Sequence, residues 1–295
     1  MMIARSRLLA SFVASIVGIG SAAAQQAETV EPPWDDALPP GTAAQVERSL
    51  DGSTRHGEWV DIELPDGAGD LLSWVVYPER AEKAGVVLVV HDIRGMSDWI
   101  RAVADQLAQD GFIAIVPDFL SGKGPDGGGT ESLGREVGQA IRKLGEAEVV
   151  ARLDAAKAYG ESLPASNGSS GVLGFCWGGT QSFLYALAQP QLGAAVVFYG
   201  NVPGSTADSV PDERIAKIAA PVLGLYGGRD ARINATLPPT IRSMMDQAKT
   251  YAFHSFEGAG HGFVSHQGQA DGANHRAARH AWPIVLDFLR RHLDG

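Results

Sequence analysis

Five short runs govern how this chain can fold. GVVLVVH (85–91), GFIAIVPD (111–118), SGVLGF (170–175), AAVVFYG (194–200) and PVLGLYGG (221–228) are each apolar almost without a break, and longer amphipathic stretches separate most of them. A strand with one wet face alternates apolar and polar residues, whereas a strand that is apolar throughout is covered on both faces. Joining such strands in parallel takes a crossover of a dozen or more residues, usually a helix. Helices are predicted near Trp99–Gln109, from about Glu131 to Glu161, over Trp177–Gln189, near Pro238–Ala248 and from about Asn274 to Leu293. Two further strands, His56–Leu64 and Leu71–Tyr77, flank the turn Pro65-Asp66-Gly67 and predict an antiparallel N-terminal edge, and TYAFHSF (250–256) predicts a last strand. The fold class is α/β: a mostly parallel central sheet with helices on both faces and no large lid domain.

The N-terminus reads as an address. Met1–Arg7 carries two positive charges, Leu8–Gly20 is apolar or small, and Ser21-Ala22-Ala23-Ala24 precedes Gln25. That is the pattern of a secretory signal peptide cleaved near Ala24, and its apolar core is too short for a comfortable membrane span. A membrane anchor or a buried N-terminal helix is the alternative. The expected organisation is a signal peptide (1–24), an extended Pro- and acid-rich arm (25–55) and one α/β domain (56–295), exported to the periplasm or medium. Losing Arg5 and Arg7 takes the formal charge from −10 to about −12, which argues against nucleic acid or an anionic membrane as partner. A monomer is expected.

In an oxidising compartment the single cysteine, Cys176, cannot close an internal disulfide. It is buried and inert, paired with another molecule, or used. Its surroundings, Gly174-Phe175-Cys176-Trp177-Gly178-Gly179, follow an apolar run and open a predicted helix. This is the G-x-nucleophile-x-G spacing of a strand-to-helix elbow, where glycines relieve the clash of strand against helix and the helix N-terminus favours an anion. A small packed cysteine between glycines has the same appearance. Two other strand ends carry partners: Gly227-Gly228-Arg229-Asp230, and Gly258-Ala259-Gly260-His261-Gly262-Phe263. Asp230 alone can be a turn residue and His261 alone a surface histidine. Together, nucleophile, acid and histidine stand in the chain order of an α/β-hydrolase, with His261 taking the thiol proton and Asp230 orienting the ring. A fourth strand end, His91-Asp92-Ile93-Arg94-Gly95, supplies one oxyanion donor at Ile93 N–H, the other being Trp177 N–H. Asp92 can hold the resting thiol protonated, or be no more than a turn carboxylate.

GFCWGG, GRD, AGHGF and HDIRG together resemble the dienelactone hydrolase (carboxymethylenebutenolidase) family of α/β-hydrolases, from about residue 55 to the C-terminus. The spacings, 54 residues from Cys176 to Asp230 and 31 from Asp230 to His261, leave no room for a large lid insertion. The resemblance implies a Cys-His-Asp triad, carried onto Cys176, His261 and Asp230, and a carboxylate touching the resting thiol, carried onto Asp92. Three features depart from it. The best-studied members have Glu where this chain has the shorter Asp92. They bind the substrate carboxylate with arginines, one of them four positions after the histidine, where this chain has Ser265; Arg94 and Arg229 are the candidates to replace it. Well-known degradative members act in the cytoplasm, whereas this chain carries an export signal.

Thiolate is a good leaving group as well as a good nucleophile, so a Cys triad suits lactones, enol esters and aryl esters. The expected function is hydrolysis of a small activated ester or lactone through a thioacyl-enzyme. A broader carboxylesterase or acyltransferase, and a non-catalytic secreted binding protein on the same scaffold, are the alternatives. Arg94, Phe119, Tyr199 and Phe263 are the candidate substrate-binding residues, the aromatics being either pocket lining or ordinary core. No cofactor and no metal are expected: His266, His275 and His280 lack HExxH spacing, and the Gly-rich 121–129 segment is not GxxxxGK[ST]. Asp118 is expected to brace a loop.

Overall fold

The protein is described by a computed structural model covering residues 32–294, so the expected signal peptide and the start of the arm lie outside the described residues. The strands are β1 (Gly57–Glu63), β2 (Asp70–Val76), β3 (Ala84–Val90), β4 (Ile113–Pro117), β5 (Ser166–Phe175), β6 (Ala194–Phe198), β7 (Val222–Gly227) and β8 (Tyr251–Phe256). They form one eight-stranded sheet in the order β1-β2-β4-β3-β5-β6-β7-β8. The β1–β2 and β2–β4 pairs are antiparallel, and every pair from β4–β3 onward is parallel. This is an α/β-hydrolase-type fold.

The helices are α1 (Ala43–Gly52), α2 (Asp98–Gln109), α3 (Thr130–Leu133), α4 (Val137–Ile141), α5 (Glu146–Ser162), α6 (Trp177–Ala188), α7 (Asp212–Ile215), α8 (Ala231–Asn234), α9 (Leu237–Asp246) and α10 (Ala273–Leu293). Alternate residues of one strand feed two cores. Val87 and Val89 of β3 pack with residues of α2 and α10, while Val86, Leu88 and Val90 pack with residues of α5 and α6. Two-sided burial is why these strands are apolar at every position. β8, at the sheet edge, is exposed or half-exposed along its length.

Two expectations are corrected. The 25–55 segment is not simply extended, because it contains α1. Thr42 caps the helix by accepting from Gln45 N–H, and Val46 and Leu50 share one face that packs into the core beside α2. That apolar face contributes roughly 3 kcal/mol, and polar ties hold both ends. Before the helix, Trp99 Nε1 donates to Pro40 O and Gln267 Nε2 to Pro39 O, each at 2.8 Å. After it, Asp105 receives Ser53 Oγ at 2.5 Å and forms an ion pair with Arg55. The second correction is the 131–161 stretch, which is broken into α3, a short 3-10 turn, α4 and α5. Gly134 takes a positive φ of 51° between the first pieces, and Gly145 precedes α5 in an extended conformation.

Candidate active site

Cys176 stands between β5 and α6 with φ 58° and ψ −113°. An L-residue adopts such a backbone at a cost of about 1–3 kcal/mol, and only where its surroundings enforce it. The enforcement is visible in the glycines. A Cβ at Gly174 would meet Gly178 O at 2.1 Å, and one at Gly178 would meet Val90 O at 2.3 Å. The bare backbones let β5, α6 and the end of β3 approach one another, and the thiol is left on the corner, half-buried.

His261 and Asp230 arrive from the loops after β8 and β7. His261 Nδ1 lies 2.5 Å from Asp230 Oδ2, which leaves Nε2 for the Cys176 side. Asp230 is buried and also accepts from Ile233 N–H at 3.3 Å. Burial opposes a charge on the imidazole, but the bond to Asp230 and the nearby Cys176 outweigh it and raise the pKa to about 9. For Asp230 burial works upward, and the bond from His261 prevails, holding the carboxyl below its ordinary value. Asp230 and His261 are therefore joined by a direct hydrogen bond, and Cys176 is close enough to bear on the charge of the ring. Neither the Ile93 nor the Trp177 N–H has a protein acceptor among the described residues. The Trp177 N–H lies at the start of α6, where backbone donors favour an anion.

His91 fixes the loop that carries Ile93. It is fully buried, stacks on Trp177 with ring centroids 5.5 Å apart, and meets Phe119 edge-on. Burial lowers its pKa. Phe119 N–H points at Nε2 (3.4 Å), so the proton of the neutral ring sits on Nδ1 and is donated to Asp92 O at 2.9 Å. Asp118 braces its loop as expected, accepting from Leu120 N, Thr130 N and Thr130 Oγ1.

The other candidates fall out differently. Asp92 makes no hydrogen bond to the thiol among the described residues. Its carboxylate accepts from Arg94 N–H at 2.8 Å and from the Arg94 Nε and Nη2 at 2.9 and 2.6 Å. A short side chain two residues before an arginine on a tight turn is captured by it. Phe119 and Phe263 are wholly buried in the two cores, Phe119 packed edge-on against Trp177 and Phe263 against Tyr199. Arg229 is exposed, and its described hydrogen bonds are backbone ones, its N–H donating to Ala259 O at 2.8 Å and its carbonyl accepting from Ala231 N–H at 3.0 Å. Tyr199, the residue after β6, is 2% exposed with a strained φ of 41°, and its ring packs 4.9 Å from that of His261. Its hydroxyl has no hydrogen-bond partner among the described residues. Ser265 lies alongside, but its own hydroxyl is engaged with Gly262 O and His266 Nδ1. Burial, then the charges of Asp92 and Cys176, push the phenol pKa well up, so Tyr199 is a neutral donor.

A profile of the dienelactone hydrolase family matches residues 72–293, most of the chain and all of the site just described. The chain belongs to that family. Membership makes it a hydrolase of ester or lactone bonds acting on a small molecule. A protein of Methylorubrum extorquens strain AM1, provisionally named a carboxymethylenebutenolidase, is 30% identical over 255 residues, covering 85% of this chain and 86% of its own. One from Bradyrhizobium, provisionally named a 2-oxo-3-(5-oxofuran-2-ylidene)propanoate lactonase, is 32% identical over 81% of this chain and 95% of its own. Among solved structures, a provisionally named dienelactone hydrolase of Klebsiella pneumoniae superposes with a TM-score of 0.67 at 27% identity, covering 80% of this chain and 98% of that one.

Three features of this family member were missed from sequence. The Asp92–Arg94 fork had a signal, since Asp two residues ahead of a turn N–H is the Asx-turn pattern. The unpartnered Tyr199 hydroxyl and the helix α1 had none, because both arise from tertiary packing.

Proposed function

We propose that the enzyme hydrolyses a small activated ester or lactone through a covalent thioacyl intermediate on Cys176. In the first half-reaction the Cys176 thiolate, with its proton on His261, attacks the carbonyl carbon. The oxyanion takes hydrogen bonds from Ile93 N–H and Trp177 N–H. Collapse breaks the C–O bond, and the leaving alkoxide or enolate takes the proton from His261 Nε2. In the second half, water gives a proton to His261 as its oxygen attacks the thioester. The new tetrahedral intermediate expels Cys176 as thiolate and releases the acid. Asp230 holds the imidazole in one orientation and stabilises its charged form throughout.

The single observation that supports this reading is the His261–Asp230 pair, hydrogen-bonded at 2.5 Å, beside a cysteine held on a strained strand-to-helix corner. A thiolate expels an activated alcohol readily and a simple alkoxide poorly, which selects lactones, enol esters and aryl esters. The test is turnover of p-nitrophenyl acetate. The expected result is a burst of one equivalent per active enzyme, with Cys176→Ala and His261→Ala each losing at least about a thousandfold in rate. Turnover retained in both variants refutes the reading.

The mature enzyme is placed outside the cytoplasm on the basic, apolar and small-residue pattern of residues 1–24. Among the described residues no helix is long and apolar enough to cross a membrane. N-terminal sequencing of protein recovered from the host's periplasm or medium is expected to begin near Gln25; a chain retained in the cytoplasm with Met1 intact would contradict export.

A further inference from the structure

Between α1 and the loop after β3 lies an open cleft of about 710 Å³. Arg94 and Ser265 are among its lining residues, and each sits on a loop of the candidate site: Arg94 follows Ile93, and Ser265 lies four positions after His261. The Arg94 guanidinium lies over Trp99, whose ring packs edge-on against Phe175, the residue before Cys176. Val46 and Leu50 of α1 and Trp99 contribute apolar patches to its lining, and the exposed Glu47 and Asp51 sit on its α1 side. Cavities of about 300–1,000 Å³ accommodate drug-sized ligands, so this one has room for much more than the scissile group. α1 is pinned at both ends, by Trp99 and Gln267 before it and by Asp105 after it, so the wall is built in. It precedes residue 72, where the family match begins.

The charges lining the cleft are unequal. Arg94 gives Nε and Nη2 to Asp92, and Arg101 gives Nη1 to Asp98 at 3.0 Å while lying over the rings of Trp59 and Trp74. Both cations are thus already neutralised. Glu47 and Asp51 pair with no cation among the described residues. A carboxylate entering here would meet two uncompensated acids and would have to displace Asp92 to reach Arg94. An ammonium would find the same two acids attractive, and an uncharged chain would find the apolar patches of Val46, Leu50 and Trp99.

We propose that this cleft receives the part of the ester remote from the scissile bond, and that this part is an apolar chain or ring that is uncharged or cationic, not anionic. α1 is then the element that sets specificity. The proposal rests on Cys176 being the nucleophile next to the cleft, so its test separates the two claims.

The test uses the full mature chain and three p-nitrophenyl esters of matched length: the hexanoate, the 6-aminohexanoate and the adipate monoester, with the acetate as a ligand too short to reach α1. The expected order of kcat/KM is ammonium, then neutral, then carboxylate, with the extremes about tenfold apart at low ionic strength and closer in 1 M salt. In Glu47→Lys/Asp51→Lys, the ratio of carboxylate to neutral substrate rises at least about fivefold, circular dichroism confirming that the variant is folded. A wild-type enzyme that is blind to tail charge or prefers the carboxylate overturns the proposal, as does an unmoved ratio in the variant. If the acetate itself is not turned over, the catalytic reading has failed. The cleft is then read by calorimetry with the corresponding p-nitroanilides, where the same order of affinities is expected and any other order overturns it.

Discussion

His261 carries the most informative single proton in the molecule. The folded ring holds it up to about pH 9, whereas an unfolded chain releases it near the ordinary 6.5. Between those values the native state binds more protons than the unfolded one. The ring's contribution to stability is therefore complete below 6.5 and is lost as pH rises through 9. Asp230 has the opposite sign: its pKa is depressed, so its contribution is present at neutral pH and lost as acid protonates it. NMR titration of the His261 ring is expected to give a midpoint near 9, falling back toward 6.5 in Asp230→Asn. An unchanged midpoint in that variant would mean that Asp230 does not hold the ring. Tyr199 gives a second test. Its hydroxyl is buried without a partner, and an unpaired polar group costs about 1–3 kcal/mol. Tyr199→Phe is expected to leave the melting temperature equal or slightly higher while lowering kcat/KM about tenfold, the loss of one hydrogen bond to substrate. Paired melts and kinetics check both halves; unchanged kinetics would mean that the hydroxyl meets nothing in the reaction.

Among the elements, α1 is held less by its apolar face than by its ties, and Asp105 joins two of them. Removing the carboxylate leaves Arg55 and Ser53 without their acceptor in a mostly buried place. Asp105→Ala is expected to destabilise by roughly 3 kcal/mol and to raise KM for long-tailed esters more than for the acetate, as measured by thermal melts and by KM across chain lengths. Equal effects on all esters would detach α1 from substrate recognition. The strands were legible to within a residue or two in β3, β4, β6 and β7, because two-sided burial demands an unbroken apolar run. β5 starts earlier than its apolar run, at Ser166, since its first residues pair only loosely with β3 across a shift in register. α1 was not legible. Its apolar face is two residues wide, it sits in a Pro-rich context, and what holds it are side chains more than fifty positions away.

At the scale of the whole molecule, the sheet brings four loops to one end, and that is why the site was largely readable. Cys176, Asp230 and His261 each follow a strand of the parallel sheet, so their convergence follows from topology once the strands are recognised. What the topology left open was local. It did not decide whether Asp92 would turn to the thiol or to Arg94, nor which aromatics would be core. A one-methylene difference and the depth of packing settle such matters, and neither is periodic. The account stands or falls on sulfur chemistry at Cys176, and the direct measurement is intact-protein mass spectrometry after rapid acid quench of the enzyme with an aryl ester. The expected result is one added acyl group within the first turnover, mapped to the peptide bearing Cys176 and missing from Cys176→Ala. Steady hydrolysis with no adduct on Cys176, and with Cys176→Ala still turning over, would contradict it.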